Sequence, residues 1–136
     1  MSTETCIAAD VKNLARLRCF VEETALALGV APSVIPSLRL AVDEAATNII
    51  VHGYQGRAGD IEVEIRRAGD ELTICLRDHA APFDPTGAAL PDLSAPLEQR
   101  PLGGLGVYLI RKAMDRIIHR PLSQGGNELT LIKKLS

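Results

Sequence analysis

The sequence has no tryptophan and only four other aromatic side chains, Phe20, Tyr54, Phe83 and Tyr108, which make up 3% of its 136 residues. Few platforms remain on which the bases of a single strand could stack. An excess of positive charge is also missing: 15 lysines and arginines face 17 aspartates and glutamates, a net charge of −2, so there is no phosphate-backbone footprint. Together these absences disfavour nucleic acid as a partner. Long hydrophobic runs are absent too, since stretches such as Ile49-Ile50-Val51 end far short of the roughly 20 residues that cross a bilayer. Met1-Ser2-Thr3-Glu4-Thr5 lacks the basic and apolar regions of a secretory leader. The expectation is a cytoplasmic protein that makes no use of a membrane. Cys6, Cys19 and Cys75 are odd in number and form no C-x-x-C pair, which argues against a zinc site or a disulfide framework. The simplest reading makes all three small buried hydrophobes.

What is present describes one soluble domain over residues 1–136, with 46% hydrophobic and 24% charged residues. A chain of this length buries roughly 70% of the surface its unfolded form exposes. With so few aromatics, the core must be aliphatic. Val11, Leu14, Leu17, Val21, Ala25 and Leu28 recur at steps of three and four, one face of a helix that Asp10 can cap and Gly29 can end. Nothing structured is expected before it. A second helix is predicted from Ala31-Pro32-Ser33 to Gly53, with Leu38, Ala41, Val42, Ala45 and Ile49 on its apolar face. Alternation then takes over in Ile61, Val63 and Ile65, and again in Leu72, Ile74 and Leu76, around a turn at Ala68-Gly69-Asp70. From His79 to Pro101 no period is sustained and five of the eight prolines cluster, the mark of a functional lid or a disordered segment. A third helix follows Gly103-Gly104-Leu105-Gly106, and two closing strands, Ile117 to His119 and Asn127 to Lys134, flank a turn at Ser123 to Gly126. The order predicts an α+β two-layer sandwich, with a mixed, mostly antiparallel sheet and helices on one face.

Three places could carry chemistry. Glu44 and Asn48 stand four apart on the second helix and project from one face, with small Ala45 and Ala46 between them. A carboxylate and an amide held this way could deprotonate a hydroxyl and ligate Mg²⁺, a hard cation that often takes only one or two protein oxygens. The same spacing also suits a polar stripe facing solvent. Asp78 ends a strand, where it could accept a hydrogen bond from an exocyclic amine or simply form a turn. Gly103-Gly104-Leu105-Gly106 opens a helix whose N–H groups could receive phosphate, although it is neither a P-loop nor a dinucleotide fingerprint.

In this order the blocks resemble the anti-sigma-factor serine/threonine-protein kinases of the GHKL, or Bergerat-fold, histidine-kinase-like ATPase superfamily. Leu40 to Tyr54 is similar to that family's N-box, Arg77 to Pro85 to its first glycine box, Gly103 to Asp115 to its second, and Asn127 to Leu131 to its last strand. The resemblance implies a cytoplasmic kinase that uses ATP and Mg²⁺ to phosphorylate a serine of a STAS-domain anti-anti-sigma protein in a partner switch. A sigma factor or another output protein is the implied second partner, and homodimers are common in the family. It assigns Glu44 as general base and Asn48 as the Mg²⁺ ligand between the phosphates. Asp78 would recognise adenine, with Ala80 and Phe83 in the same box near the nucleotide. Gly104, Leu105 and Gly106 would lie against the phosphates, and Thr130 near the adenine end through water. A lid over about residues 79–103 would close on the nucleotide. The sequence departs from the family at Ala80, where glycine is usual, and a methyl at a close backbone approach is expected to weaken or reshape ATP binding. A module that switches partners with weak or no nucleotide binding, and without phosphorylating them, therefore stands as the alternative.

Overall fold

The computed structural model describes residues 2–81 and 104–135. Phe83 and nearly all of the expected lid lie outside these residues. Five strands, β1 (Ser2–Ala8), β2 (Asp60–Ala68), β3 (Glu71–Asp78), β4 (Arg116–Pro121) and β5 (Asn127–Lys134), form one sheet in the order β1-β2-β3-β5-β4. All four pairings among the described residues are antiparallel, so the expected mixture with parallel strands is not found there. Helices α1 (Leu14–Ala27), α2 (Ile35–Asn48) and α3 (Gly104–Ala113) supply the second layer.

Strand β1 overturns the expectation that nothing structured precedes the first helix. Among its described side chains only Ile7 enters the core. It is a strand because it pairs along its whole length with β2, from Ser2 opposite Arg66 to Ala8 opposite Asp60. Asp10 then accepts a hydrogen bond from the Lys12 amide at 3.0 Å, but the turn it caps, Val11–Asn13, is 3₁₀ and leaves Val11 58% exposed. Leu17, Val21 and Ala25 of α1 face the core as the period requires, and Gly29 ends the helix in the left-handed region at φ +81°.

Leu38, Ala41, Val42 and Ala45 of α2 pack with Ile61, Val63, Ile65, Leu72, Ile74, Leu76, Leu129 and Leu131 of the sheet in one aliphatic core. Burial of each such Leu, Ile or Val contributes roughly 1.5–3 kcal/mol. After Asn48 the α-helix gives way to a π-helical turn, Ile49–Gly53, that the apolar period alone does not distinguish from more helix. This turn swings Tyr54 beneath the ends of β2 and β3. The Tyr54 hydroxyl donates to the Asp60 carbonyl at 2.7 Å and accepts from the His79 amide at 2.8 Å. Its ring fills the space where Gly59 has no side chain. Tyr54→Phe leaves both backbone groups without this partner and is expected to lower stability by about 1–2 kcal/mol. Urea denaturation checks this, with a loss under 0.5 kcal/mol counting against the latch.

The opposite sheet face carries a charged ladder. Arg77 reaches Glu128 at 2.8 Å and Glu64 at 3.3 Å, and Arg120 reaches Glu128 at 2.9 Å. Burial pushes the Glu128 carboxyl up, but the Arg77 and Arg120 guanidiniums outweigh it and hold the group below its ordinary value. Cys75 is buried on this face, whereas Cys6 and Cys19 are exposed, contrary to the reading of all three as buried. Cys6 belongs to an edge strand and alternates outward from Ile7, so nothing packs over it.

Candidate functional site

The second helix places Glu44 and Asn48 one turn apart, and the first turn of α3 is laid across them. A Cβ built on Gly106 would stand 3.2 Å from Oε2 of Glu44 and 3.2 Å from both Oδ1 and Nδ2 of Asn48. A side chain at Gly106 would crowd both groups, and glycine lets α3 lie this close without displacing them. Glu44, Asn48 and Gly106 therefore converge on one point, and the backbone of Gly104 and Leu105 begins the same helix. Asn48 is only 6% exposed, yet its Nδ2 is buried with no hydrogen-bond partner, the one such atom among the described residues. A buried orphan donor costs about 1–3 kcal/mol and calls for an external partner. Burial pushes the Glu44 carboxyl above its ordinary value, and the neighbouring Asp43 charge adds to this. Asp43 is itself tied to Arg18 at 2.7 Å.

A second group assembles where β3 ends. Asp78 is 2% exposed, and its Oδ1 accepts from the Ala80 amide at 2.9 Å and from Nδ2 of Asn127 at 3.0 Å. Nδ2 of Asn127 also donates to the Ala81 carbonyl at 3.2 Å, while its Oδ1 lies 2.9 Å from Nε2 of His119. The two groups share a cavity lined by Ala45, Asn48, Ile49, Asp78, His119 and Asn127. Its volume, about 10 Å³, holds about one water molecule, so a purine enters only as these walls part.

Two assigned residues sit differently from expectation. Thr130 pairs with Cys75, and its hydroxyl lies 3.9 Å from the Cys75 sulfur, on the sheet face away from the helices. It is not brought to Asp78, because strand alternation turns it to the opposite side from Leu129 and Leu131. The residue opposite Asp78 is Asn127. Its signal was available in the sequence, as a polar side chain in register with Leu129 and Leu131. His119 had none, because its meaning depends on β4 pairing with β5. Ala80 carries no left-handed backbone, so it needs no glycine there, and its methyl packs where Gly53 lacks a side chain, 3.3 Å from a Cβ built at that position. Ala80 is buried in the core, and it lines a second cavity with His52, Gly53, Tyr54, His79 and Ala81, apart from the small one beside Asp78.

No group of three or more His, Cys, Asp or Glu side chains that could enclose a metal occurs among the described residues. Mg²⁺ does not need one. A hard amide oxygen at Asn48, facing the start of a helix, fits a cation held mainly by phosphates.

A five-stranded antiparallel sheet backed by helices is a fold shared with known proteins. The family model described as the histidine kinase-like ATPase domain matches residues 7–133. Serine-protein kinase RsbW of Bacillus cereus (strain Q1) is 33% identical over 118 residues, covering 84% of this chain and 74% of the relative. RsbW of Bacillus thuringiensis subsp. konkukian matches with the same identity and coverage. In structure, the RsbU and RsbW domains of Rv1364c from Mycobacterium tuberculosis match 99% of this chain at a TM-score of 0.69 and 16% identity, which shows a common fold. The present chain corresponds to 32% of that longer one. The chain belongs to the histidine kinase-like ATPase family, in the branch of the anti-sigma-factor serine kinases.

Proposed function

We propose that this chain binds Mg²⁺-ATP and phosphorylates a serine of a STAS-domain antagonist protein, and that in the unphosphorylated antagonist's absence it holds a sigma factor or another output protein in the cytoplasm. The observation that carries this reading is the meeting of Glu44, of raised pKa, with the orphaned amide of Asn48 at side-chain-free Gly106. Glu44 accepts the proton as the substrate serine Oγ bonds to the γ-phosphorus and the bond to the β–γ bridging oxygen breaks, releasing ADP. A base whose pKa is lifted toward neutrality takes that proton more readily than an ordinary carboxylate. Asn48 Oδ1 would hold Mg²⁺, which supplies neutralisation of phosphate charge. The N–H groups of Gly104, Leu105 and Gly106 face the phosphates at the positive end of α3. Asp78 accepts from the adenine amine. Positioning and charge neutralisation do most of the work in such transfers.

The purified chain, mixed with a STAS-domain protein and saturating Mg²⁺-ATP, is expected to yield phosphoserine on that protein. No phosphoserine would sink the kinase reading. Asn48→Ala is expected to weaken Mg²⁺-dependent ATP binding by roughly tenfold or more in calorimetric titration. The small cavity beside Asp78 favours the alternative, a partner-switching module without phosphorylation. That alternative prevails if the unmodified protein gives no heat with ATP yet still binds its protein partner.

A further inference from the structure

The described contacts around Asp78 fix the direction of the hydrogen bonds between Asp78, Asn127 and His119. Nδ2 of Asn127 lies against two groups that can only accept, the Asp78 carboxylate and the Ala81 carbonyl. The amide is therefore oriented with Nδ2 toward Asp78 and Oδ1 toward His119. Because Oδ1 only accepts, Nε2 of His119, 2.9 Å away, must carry a hydrogen. Both described donors to Asp78, the Ala80 amide and Asn127, reach the same oxygen, Oδ1. The carboxylate is thus pinned through one oxygen, and Oδ2 is the one left to face a ligand. His119 and Asn127 line the same cavity as Asp78, so the chain of bonds runs along the wall that a base would touch.

We propose that His119 and Asn127 are positioning residues for base recognition: His119, bearing hydrogen on Nε2, orients the Asn127 amide, which with the Ala80 amide clamps Oδ1 of Asp78 and presents Oδ2 to a purine's exocyclic amine. This rests on the nucleotide reading given above and names the residues that hold Asp78 in place for the base. A carboxylate oxygen accepts from the 6-amino group of adenine and repels the 6-oxo group of guanine, so the clamp sets discrimination between them. Without the His119–Asn127 arm, Oδ1 of Asp78 is held by the Ala80 amide alone, and the discrimination narrows.

The experiment has two arms on the full chain. Long-range proton–nitrogen spectra of protein labelled with ¹⁵N-histidine are expected to show His119 with hydrogen on Nε2, and Asn127→Ala is expected to remove that preference. Titrations with Mg²⁺-ATP and Mg²⁺-GTP are expected to show His119→Ala binding ATP about 3- to 10-fold more weakly, the effect of roughly one net hydrogen bond, with GTP binding unchanged. His119→Gln, which keeps a donor, is expected to restore most of the difference, which a merely structural role would not produce. Hydrogen found on Nδ1 alone, or an ATP-to-GTP ratio unaltered in folded His119→Ala, overturns the positioning role while leaving ATP binding intact. Wild-type protein that binds neither nucleotide overturns the nucleotide reading and this proposal with it.

Discussion

Glu44→Gln is expected to lower phosphoryl transfer to a protein serine by about 10²–10⁴-fold, the usual loss when a positioned base is removed. ATP binding should remain close to wild type, because the glutamine keeps the shape of the side chain beside Gly106. The distinguishing result lies in stability. Burial and the Asp43 charge raise the folded-state pKa of Glu44, so the folded form disfavours the ionised carboxylate. As pH rises from the ordinary carboxylate value through the raised one, the unfolded chain has released its proton and the folded chain has not. Stability falls across that window and levels off above it. The neutral amide escapes this cost, and since Glu44 is only partly buried the gain is small, an increase in Tm of roughly 1–3 °C at pH 7. The wild-type transfer rate should fall on acidification through a pKa above the ordinary glutamate range, and Glu44→Gln should abolish that limb. A variant equally inactive but less stable than wild type would mean that Glu44 holds the fold together instead of serving as the base.

The largest stability loss is expected at the turn before β5. Gly126 adopts φ +102°, and a Cβ there would run into the Asp78 carbonyl oxygen and approach the His79 Cα at 3.0 Å. Gly126→Ala must therefore both adopt a backbone that L-residues avoid and push apart the ends of β3 and β5. Such conflicts cost at least about 3 kcal/mol, a fall in Tm of roughly 10 °C or more. Gly125 provides the control, because it has φ +92° but nothing within 4 Å of a built Cβ. Gly125→Ala should show only the backbone cost, about 1–2 kcal/mol. Thermal melts that give the two variants equal losses would remove the contact with Asp78 as the cause.

The three helices and the two hairpins were readable because each buries one face, and a buried face imposes its period on the chain. Strand β1 was not, since among its described side chains a single one enters the core, and it owes its form to hydrogen bonds with β2. The π-helical turn was hidden for a related reason: Ile49 and Ile50 continue the apolar pattern whichever hydrogen bonds the backbone makes. Within the site, Glu44 and Asn48 were legible together because four residues on a helix make one turn. Thr130 was misplaced by one strand face. Motif similarity located the right strand, and only its register with β3 showed that Asn127, and not Thr130, stands beside Asp78.

The poverty in aromatics, balanced charge, local periods and ordered glycine-containing blocks were properties of the sequence alone, and they were enough to determine the aliphatic core, the two-layer class and the family. These depend on residues near one another in the chain. The meeting of Gly106 with Glu44 and Asn48, the fit of the Ala80 methyl at Gly53, and the bonds from His119 through Asn127 to Asp78 were decided by tertiary structure. Each joins segments far apart in sequence, and side-chain packing and hydrogen-bond direction between such segments exist only once the sheet has its register and the helices have docked on it.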